Sequence, residues 1–333
     1  MADAALFVLF GAPPGLQAAV GARELERLTT AHPRVRVEIV SDGARFAQML
    51  PEADAAMVFV GFSALLGPAL HPGGRLRWVQ AITAGVDHLL TPEVMSARHV
   101  TLTATKGPMG QLMAEHIVML MLALARNLPG YFQDQREGRW RGMLSERPAI
   151  DLFGRTVAIL GVGSVGGSLA RICKLAFGMR VLGLARTRRD DPHVDRYVER
   201  LDLPAALAEA DFVALTLAHT PETERIIDAD ALAAMKPGAY LINVTRGALV
   251  DEEALLAALR SGHLGGAGLD SVVEEPLPPE SPLWTAPNVI ITPHVSPGRD
   301  RFGSEVVGFW CDNVRRFAEG EPLLGLVDRD AGY

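Results

Sequence analysis

The sequence predicts an α/β protein with two doubly wound parallel sheets, and three observations carry that prediction. The chain has 333 residues, about twice the usual single-domain length. Short apolar runs alternate with amphipathic stretches along nearly all of it. A glycine-rich turn stands between one apolar run and one helical pattern near the middle. With 49% hydrophobic and 21% charged residues, the composition is that of an ordered globular protein and excludes the disordered and fibrous classes. A net charge of -7 gives neither nucleic acid nor an anionic membrane surface a reason to bind. Cys173 and Cys311 form no C-x-x-C pair, which argues against a disulfide framework and a thiolate zinc site and makes a reducing cytoplasm the expected home. The longest clean apolar run, Ile117 to Ala125, falls far short of the roughly 20 residues that span a bilayer. Asp3 stands where a signal peptide carries positive charge, so the first apolar run reads as a strand.

In chain order, the runs Leu6 to Phe10, Val35 to Val40, Ala55 to Val60 and Trp78 to Ile82 read as strands, with helical stretches such as Leu16 to Leu28 between them. These make a first domain, residues 1–101. Met109 to Arg126 reads as one long apolar helix that Gly130 follows, and it opens a second domain, residues 102–296. Strands are predicted there at Thr156 to Leu160, Arg180 to Leu184, Phe212 to Leu217, Ala239 to Val244, Ala267 to Asp270 and Val289 to Thr292. Six strands separated by helices make a doubly wound sheet in two halves. The helical stretch Arg299 to Glu319, within residues 297–333, is expected to return to the first domain, with hinges near Gly107-Pro108 and Pro297-Gly298.

The strand at Thr156 to Leu160 leads into Gly161-Val162-Gly163-Ser164-Val165-Gly166, and Leu169, Ile172 and Ala176 continue at helical spacing. This is the Rossmann dinucleotide pattern. Gly161 permits the tight turn, Gly163 lets backbone approach a pyrophosphate, and Gly166 lets helix and strand pack closely. Ser164 and Val165 open the helix whose N-terminus attracts the anion. An acid usually stands about 20 residues on, for the ribose 2′-hydroxyl. Here that place holds Ala185, followed by Arg186-Thr187-Arg188-Arg189, which suits a 2′-phosphate. NADP is therefore the preferred cofactor, with NAD possible. With 29 arginines against 3 lysines in the chain, a solvated loop is the competing explanation of the same letters.

Three further segments end predicted strands: Asn243 to Arg246, Gly268 to Glu275, and Thr292-Pro293-His294. Open α/β sheets place ligands at such carboxyl ends, so an Arg, a Glu and a His from three strands can converge. Together with Ala84-Gly85-Val86-Asp87, Ala114-Glu115-His116 with Arg126, the glycine loop and Thr220-Pro221-Glu222-Thr223, they make the chain from about Ala81 to about Asn313 resemble the D-isomer-specific 2-hydroxyacid dehydrogenases. This group includes glyoxylate/hydroxypyruvate reductases and phosphoglycerate dehydrogenases. The resemblance implies a Rossmann nucleotide-binding domain, a smaller flavodoxin-like substrate domain and a homodimer, with contacts through the long helix and the segment to Trp140. It assigns Arg246 to the substrate carboxylate and carbonyl, His294 to acid/base work and Glu275 to partnering His294. Asp270 falls to the nicotinamide carboxamide and Val244 joins the cofactor contacts, while the backbone of Ala84, Gly85 and Val86 falls to the substrate carboxylate. His116 and Glu115 are expected to pack domains rather than to serve catalysis.

The chemistry also stands on the residue types. Reducing a 2-keto acid needs a hydride at the keto carbon, a proton at its oxygen and a fixed carboxylate. Arg246 suits the last task by bidentate pairing, and His294 can supply the proton near neutral pH with Glu275 favouring its charged form. Where the family usually has His and Pro, this chain has Thr216 and Ala218. Val272 or Val273 replaces a common Phe, and Val-Ser-Pro-Gly-Arg-Asp follows His294. These departures bear on adenine contacts and pocket shape. Phe62, Met109 and Trp284 are candidates for specificity. The competing function is a cofactor-sensing corepressor-like protein of the same fold. A hydrolase lacks a nucleophile elbow, and formate or phosphite oxidation normally accompanies NAD.

Overall fold

The computed structural model describes residues 6–14, 22–140, 149–186, 190–298 and 302–333. The chain divides into two units, Met1–Met109 with Gly298–Tyr333, and Gly110–Pro297.

In the first unit the described residues form five parallel strands: β1 (Leu6–Gly11), β2 (Val35–Val40), β3 (Ala55–Val58), β4 (Trp78–Ala81) and β5 (Thr101–Ala104). Their order is β2-β1-β3-β4-β5, the flavodoxin-like arrangement. β1, β3 and β4 are nearly continuous apolar runs because a parallel sheet is covered on both faces. β5 is the strand beyond the boundary expected at residue 101. It pairs along β4 from Trp78–Thr101 to Ala81–Ala104, which carries this unit on to Met109. The helix Phe302–Glu319 belongs here too. Trp310 Nε1 donates to Thr105 Oγ1 at 3.2 Å, and Asn313 Nδ2 donates to Gln80 Oε1 at 2.9 Å, so buried polar groups join the C-terminal segment to the sheet in register.

The second unit has seven parallel strands among its described residues: β6 (Thr156–Leu160), β7 (Arg180–Leu184), β8 (Arg196–Val198), β9 (Phe212–Leu215), β10 (Tyr240–Asn243), β11 (Gly266–Leu269) and β12 (Val289–Ile291). Their order, β12-β11-β10-β9-β6-β7-β8, is the Rossmann arrangement extended by one edge strand, and it reverses between β6 and β9. The short β8 is the strand the apolar pattern misses. The helix Gly110–Ala125 packs its buried residues Ala114, Ile117, Leu120, Met121 and Leu124 into one core with β6 and the helix Ser164–Phe177. It ends at Ala125, beside the expected end at Arg126, and Asn127 with a left-handed φ of 53° breaks the helical path. A separate helix, Leu128–Arg136, then starts with Pro129 in its first turn. Among the described residues no single helix is long and apolar enough to cross a membrane, and no cluster of His, Cys, Asp and Glu could hold a metal ion.

Candidate active site

The glycine loop connects β6 to the helix Ser164–Phe177. Gly161 has φ +108°, which side-chain-bearing residues rarely adopt, and its N–H donates to Leu184 O at the end of β7. A Cβ at Gly166 would overlap the Gly161 carbonyl oxygen, so only glycine lets the helix sit this close to the strand. A Cβ at Gly163 would meet nothing within 4 Å. Gly163 is thus not required by the protein's own packing, whereas an anion approaching the backbone would need that space. The helix Ser164–Phe177 opens directly after Gly163, and a helix N-terminus favours an anion. The loop therefore fits a dinucleotide pyrophosphate. Thr216, which stands in place of the family's His, donates its hydroxyl to Gly161 O at 2.6 Å and braces the turn from β9.

At the end of β7, Ala185 leaves the ribose position without a carboxylate, and Arg186 is exposed beside it. Thr187, Arg188 and Arg189 lie outside the described residues. The Thr220 hydroxyl and the backbone N–H of Glu222 itself hold the Glu222 carboxyl below the usual carboxylate range, and the Arg186 and Arg200 guanidinium groups add to that.

Arg246 follows β10 by three residues. The buried Asn243 shapes that turn: its Nδ2 donates to Arg246 O at 2.8 Å, and its Oδ1 accepts from Thr245 N and Oγ1, both at 3.1 Å. Arg246 Nη1 donates to Thr245 O at 2.8 Å. Val244, also on this turn, is buried. Gly247 has no room for a Cβ, which would overlap the backbone of Val272 and Val273. Ser271 Oγ also donates to Thr245 O at 3.1 Å. The Arg246 turn is thereby packed onto the loop that carries Glu275.

Glu275 and His294 meet. His294 Nδ1 lies 2.7 Å from Glu275 Oε2, while Glu275 Oε1 accepts from Val272 N at 3.1 Å. An ionised carboxylate can only accept, so Nδ1 carries the proton and Nε2 is the nitrogen left for exchange. Glu274, the neighbouring carboxylate, has no such bond among those described. Val273 N donates to Glu252 Oε1 at 2.6 Å. Burial pushes the Glu252 carboxyl up, against the Val273 N–H that favours its ionised form.

His294 has φ 52°, a strained conformation for a residue with a side chain, and the carboxylate of Asp270 accounts for it. That carboxylate is buried at the end of β11 and accepts from Val295 N (2.9 Å) and Ser296 N (2.8 Å). The Thr292 hydroxyl donates to it at 2.6 Å, and His294 N donates to the Asp270 carbonyl oxygen at 2.9 Å. Residues on both sides of His294 are tied to one anion, which turns the imidazole toward Glu275. His116 joins the same group, with Nε2 3.0 Å from Thr292 Oγ1. Its lone place on an apolar helix suggested packing, and Asn243, Gly247, Thr292 and Glu252 carried no signal of their own beyond lying within or beside the three segments.

Ala84, Gly85 and Val86 lie in the first unit, after β4, where Thr83 Oγ1 donates to Gly85 O at 2.6 Å and Val86 is buried.

Comparison with known proteins identifies the family. The family model for the D-isomer specific 2-hydroxyacid dehydrogenase NAD binding domain matches residues 118–296. The glyoxylate/hydroxypyruvate reductase B of Pectobacterium carotovorum is 36% identical over 255 residues, 76% of this chain and 79% of that protein. Among solved structures, a D-isomer specific 2-hydroxyacid dehydrogenase family protein from Aeromonas salmonicida superposes with a TM-score of 0.83 at 36% identity. It covers 98% of this chain and 100% of that one. An NADPH-dependent glyoxylate/hydroxypyruvate reductase from Sinorhizobium meliloti, in complex with NADP and sulfate, gives 0.81 at 30% identity, with 98% and 100% covered. This chain belongs to the D-isomer specific 2-hydroxyacid dehydrogenase family and is an NAD(P)-dependent 2-hydroxyacid dehydrogenase.

Proposed function

We propose that this enzyme reduces glyoxylate, hydroxypyruvate or a somewhat larger 2-keto acid to the D-2-hydroxy acid, with NADPH as its preferred donor and NADH as a weaker one. The observation that carries the reading is the 2.7 Å pair of Glu275 and His294, set at strand ends in the same unit as the glycine loop. The names of the relatives support the substrate class, and the NADP held by the Sinorhizobium structure supports the cofactor.

The Gly161 to Gly166 loop would hold the pyrophosphate, and Arg186 would pair with the 2′-phosphate, a role the sequence also gives to Arg188 and Arg189. When bound, the dihydronicotinamide supplies the hydride that forms the new C–H bond at C2. Arg246 pairs with the substrate carboxylate and polarises the keto oxygen. As the C=O π bond breaks, its electron pair goes to that oxygen, which takes the proton from His294 Nε2. Glu275 stabilises the imidazolium before transfer and keeps Nδ1 protonated afterwards, so that the ring ends neutral with Nε2 bare. Oxidation runs the same steps backwards and begins from neutral His294. Exposed Met119, Leu122, Tyr131 and Phe132 on the two helices between Gly110 and Arg136 support a homodimer.

A matrix of 2-keto acids against NADPH and NADH, for the wild type and Arg186→Ala, tests substrate and cofactor together. The expected result is turnover of small 2-keto acids. NADPH kcat/KM should fall about 10-fold or more in the variant while that for NADH changes less than about 3-fold, as loss of a charge-assisted phosphate contact requires. Equal losses with both cofactors would remove the basis for the 2′-phosphate assignment. Tight cofactor binding with no turnover of any acid would favour a sensor.

A further inference from the structure

His116 lies within the Gly110–Ala125 helix, with its side chain only 13% exposed. Its Nε2 is 3.0 Å from Thr292 Oγ1 and 3.6 Å from Asp270 Oδ1. Counting protons fixes what it does there. Both Asp270 carboxyl oxygens act as acceptors, Oδ1 from Val295 N and the Thr292 hydroxyl and Oδ2 from Ser296 N. The 2.6 Å contact from Thr292 therefore uses the single hydroxyl proton of Thr292. Toward His116 the Thr292 oxygen is left as an acceptor, and His116 Nε2 must carry a hydrogen. Burial lowers the affinity of the ring for a second proton, with the Asp270 charge opposing it. His116 is thus a neutral donor in one fixed tautomer. The neighbouring Glu115 does not compete, because it accepts from Gln111 Nε2 at 2.9 Å on the same helix.

We propose that His116 is a positioning residue for the reduction: its Nε2–H, through Thr292 and Asp270, holds the 292–296 segment in the strained conformation that aims His294. The inference rests on His294 being the proton donor. It differs from the packing role that an isolated histidine on an apolar helix suggests, because it requires a donor at one atom rather than bulk.

The test compares wild type, His116→Gln and His116→Leu as full chains. Gln places an amide N–H near the reach of Nε2, and Leu fills the space without a donor. Two readouts are taken: hydrogen exchange of peptides over residues 290–298 without substrate, and kcat and KM for glyoxylate with NADPH. For His116→Leu, exchange should speed up about 5-fold and kcat fall about 10-fold, with KM within about 2-fold; His116→Gln should stay within about 3-fold of wild type in both. The proposal is overturned if Leu matches wild type in both readouts, or if Gln falls as far as Leu. Absence of turnover in the wild type would sink the reductase reading alone, since the exchange comparison still decides whether His116 holds the segment.

Discussion

The glycine loop and the His294 segment hold their functional groups by opposite means. At residues 161–166 the geometry comes from missing side chains: one glycine is required by a positive φ, one by helix packing, and one by nothing in the protein itself. At residues 292–296 it comes from a side chain, the buried Asp270 carboxylate, which gathers two backbone N–H groups and a hydroxyl and so imposes φ 52° on His294. A backbone-built site leaves its record in local spacing, whereas a site built by a buried anion leaves it in partners far apart in sequence. The first can be read from six letters; the second needs the fold.

The largest expected effect falls on the second region. Asp270→Asn puts an amide N–H against donors that need an acceptor, releasing the backbone around His294. It should cost about 2–3 kcal/mol of stability and about 100-fold in kcat, measured by denaturant unfolding and steady-state kinetics. A variant that kept both would show that the segment holds its shape without the anion.

The next effect separates two glycines of the first region. Gly163→Ala should weaken NADPH binding about 10-fold while leaving thermal stability within about 0.5 kcal/mol, since its Cβ would meet nothing in the protein. Gly166→Ala should lower both, because its Cβ would overlap the Gly161 carbonyl oxygen. Titration calorimetry and thermal unfolding read the two quantities, and identical behaviour of the two variants would erase the distinction.

The smallest effect on activity is expected at Asp211, another buried carboxylate, whose partners all belong to the fold. Burial tends to raise its pKa, but bonds from Lys236 Nζ at 2.7 Å and Thr156 N at 2.9 Å, with Arg155 beside them, leave it below its ordinary value of 3.8. A carboxylate held low stabilises the fold above its unfolded pKa and loses that contribution as pH falls through the folded one. The share of stability lost below about pH 4 should therefore shrink in Asp211→Asn, with kcat at pH 7 unchanged within about 2-fold. Comparison of unfolding curves between pH 3 and 7 checks this.

Most strands and the glycine loop were legible because a parallel sheet buried on both faces writes itself as apolar runs bounded by polar turns. The strand β5 was missed because Thr101-Leu-Thr-Ala alternates weakly, and its pairing with β4 comes from the tertiary fold. The helix Leu128–Arg136 was missed because Pro129-Gly130 reads as a stop, although proline in a first turn also starts a helix. Arg246, Glu275 and His294 were readable as residue types at strand ends. The role of His116 was not, because Thr292 lies 176 residues away and the bond rests on who holds each proton.

The central claim, that an imidazole oriented by Glu275 donates the proton, is tested most directly by initial rates in both directions across pH for the wild type and Glu275→Gln. For the wild type, reduction should decline and oxidation of the hydroxy acid should rise as pH increases, because reduction starts from the imidazolium and oxidation from the neutral ring. In Glu275→Gln the reduction kcat should fall about 10-fold or more, because the imidazolium has lost its anion. Flat profiles in both directions, or a variant that reduces as fast as the wild type, would contradict the account.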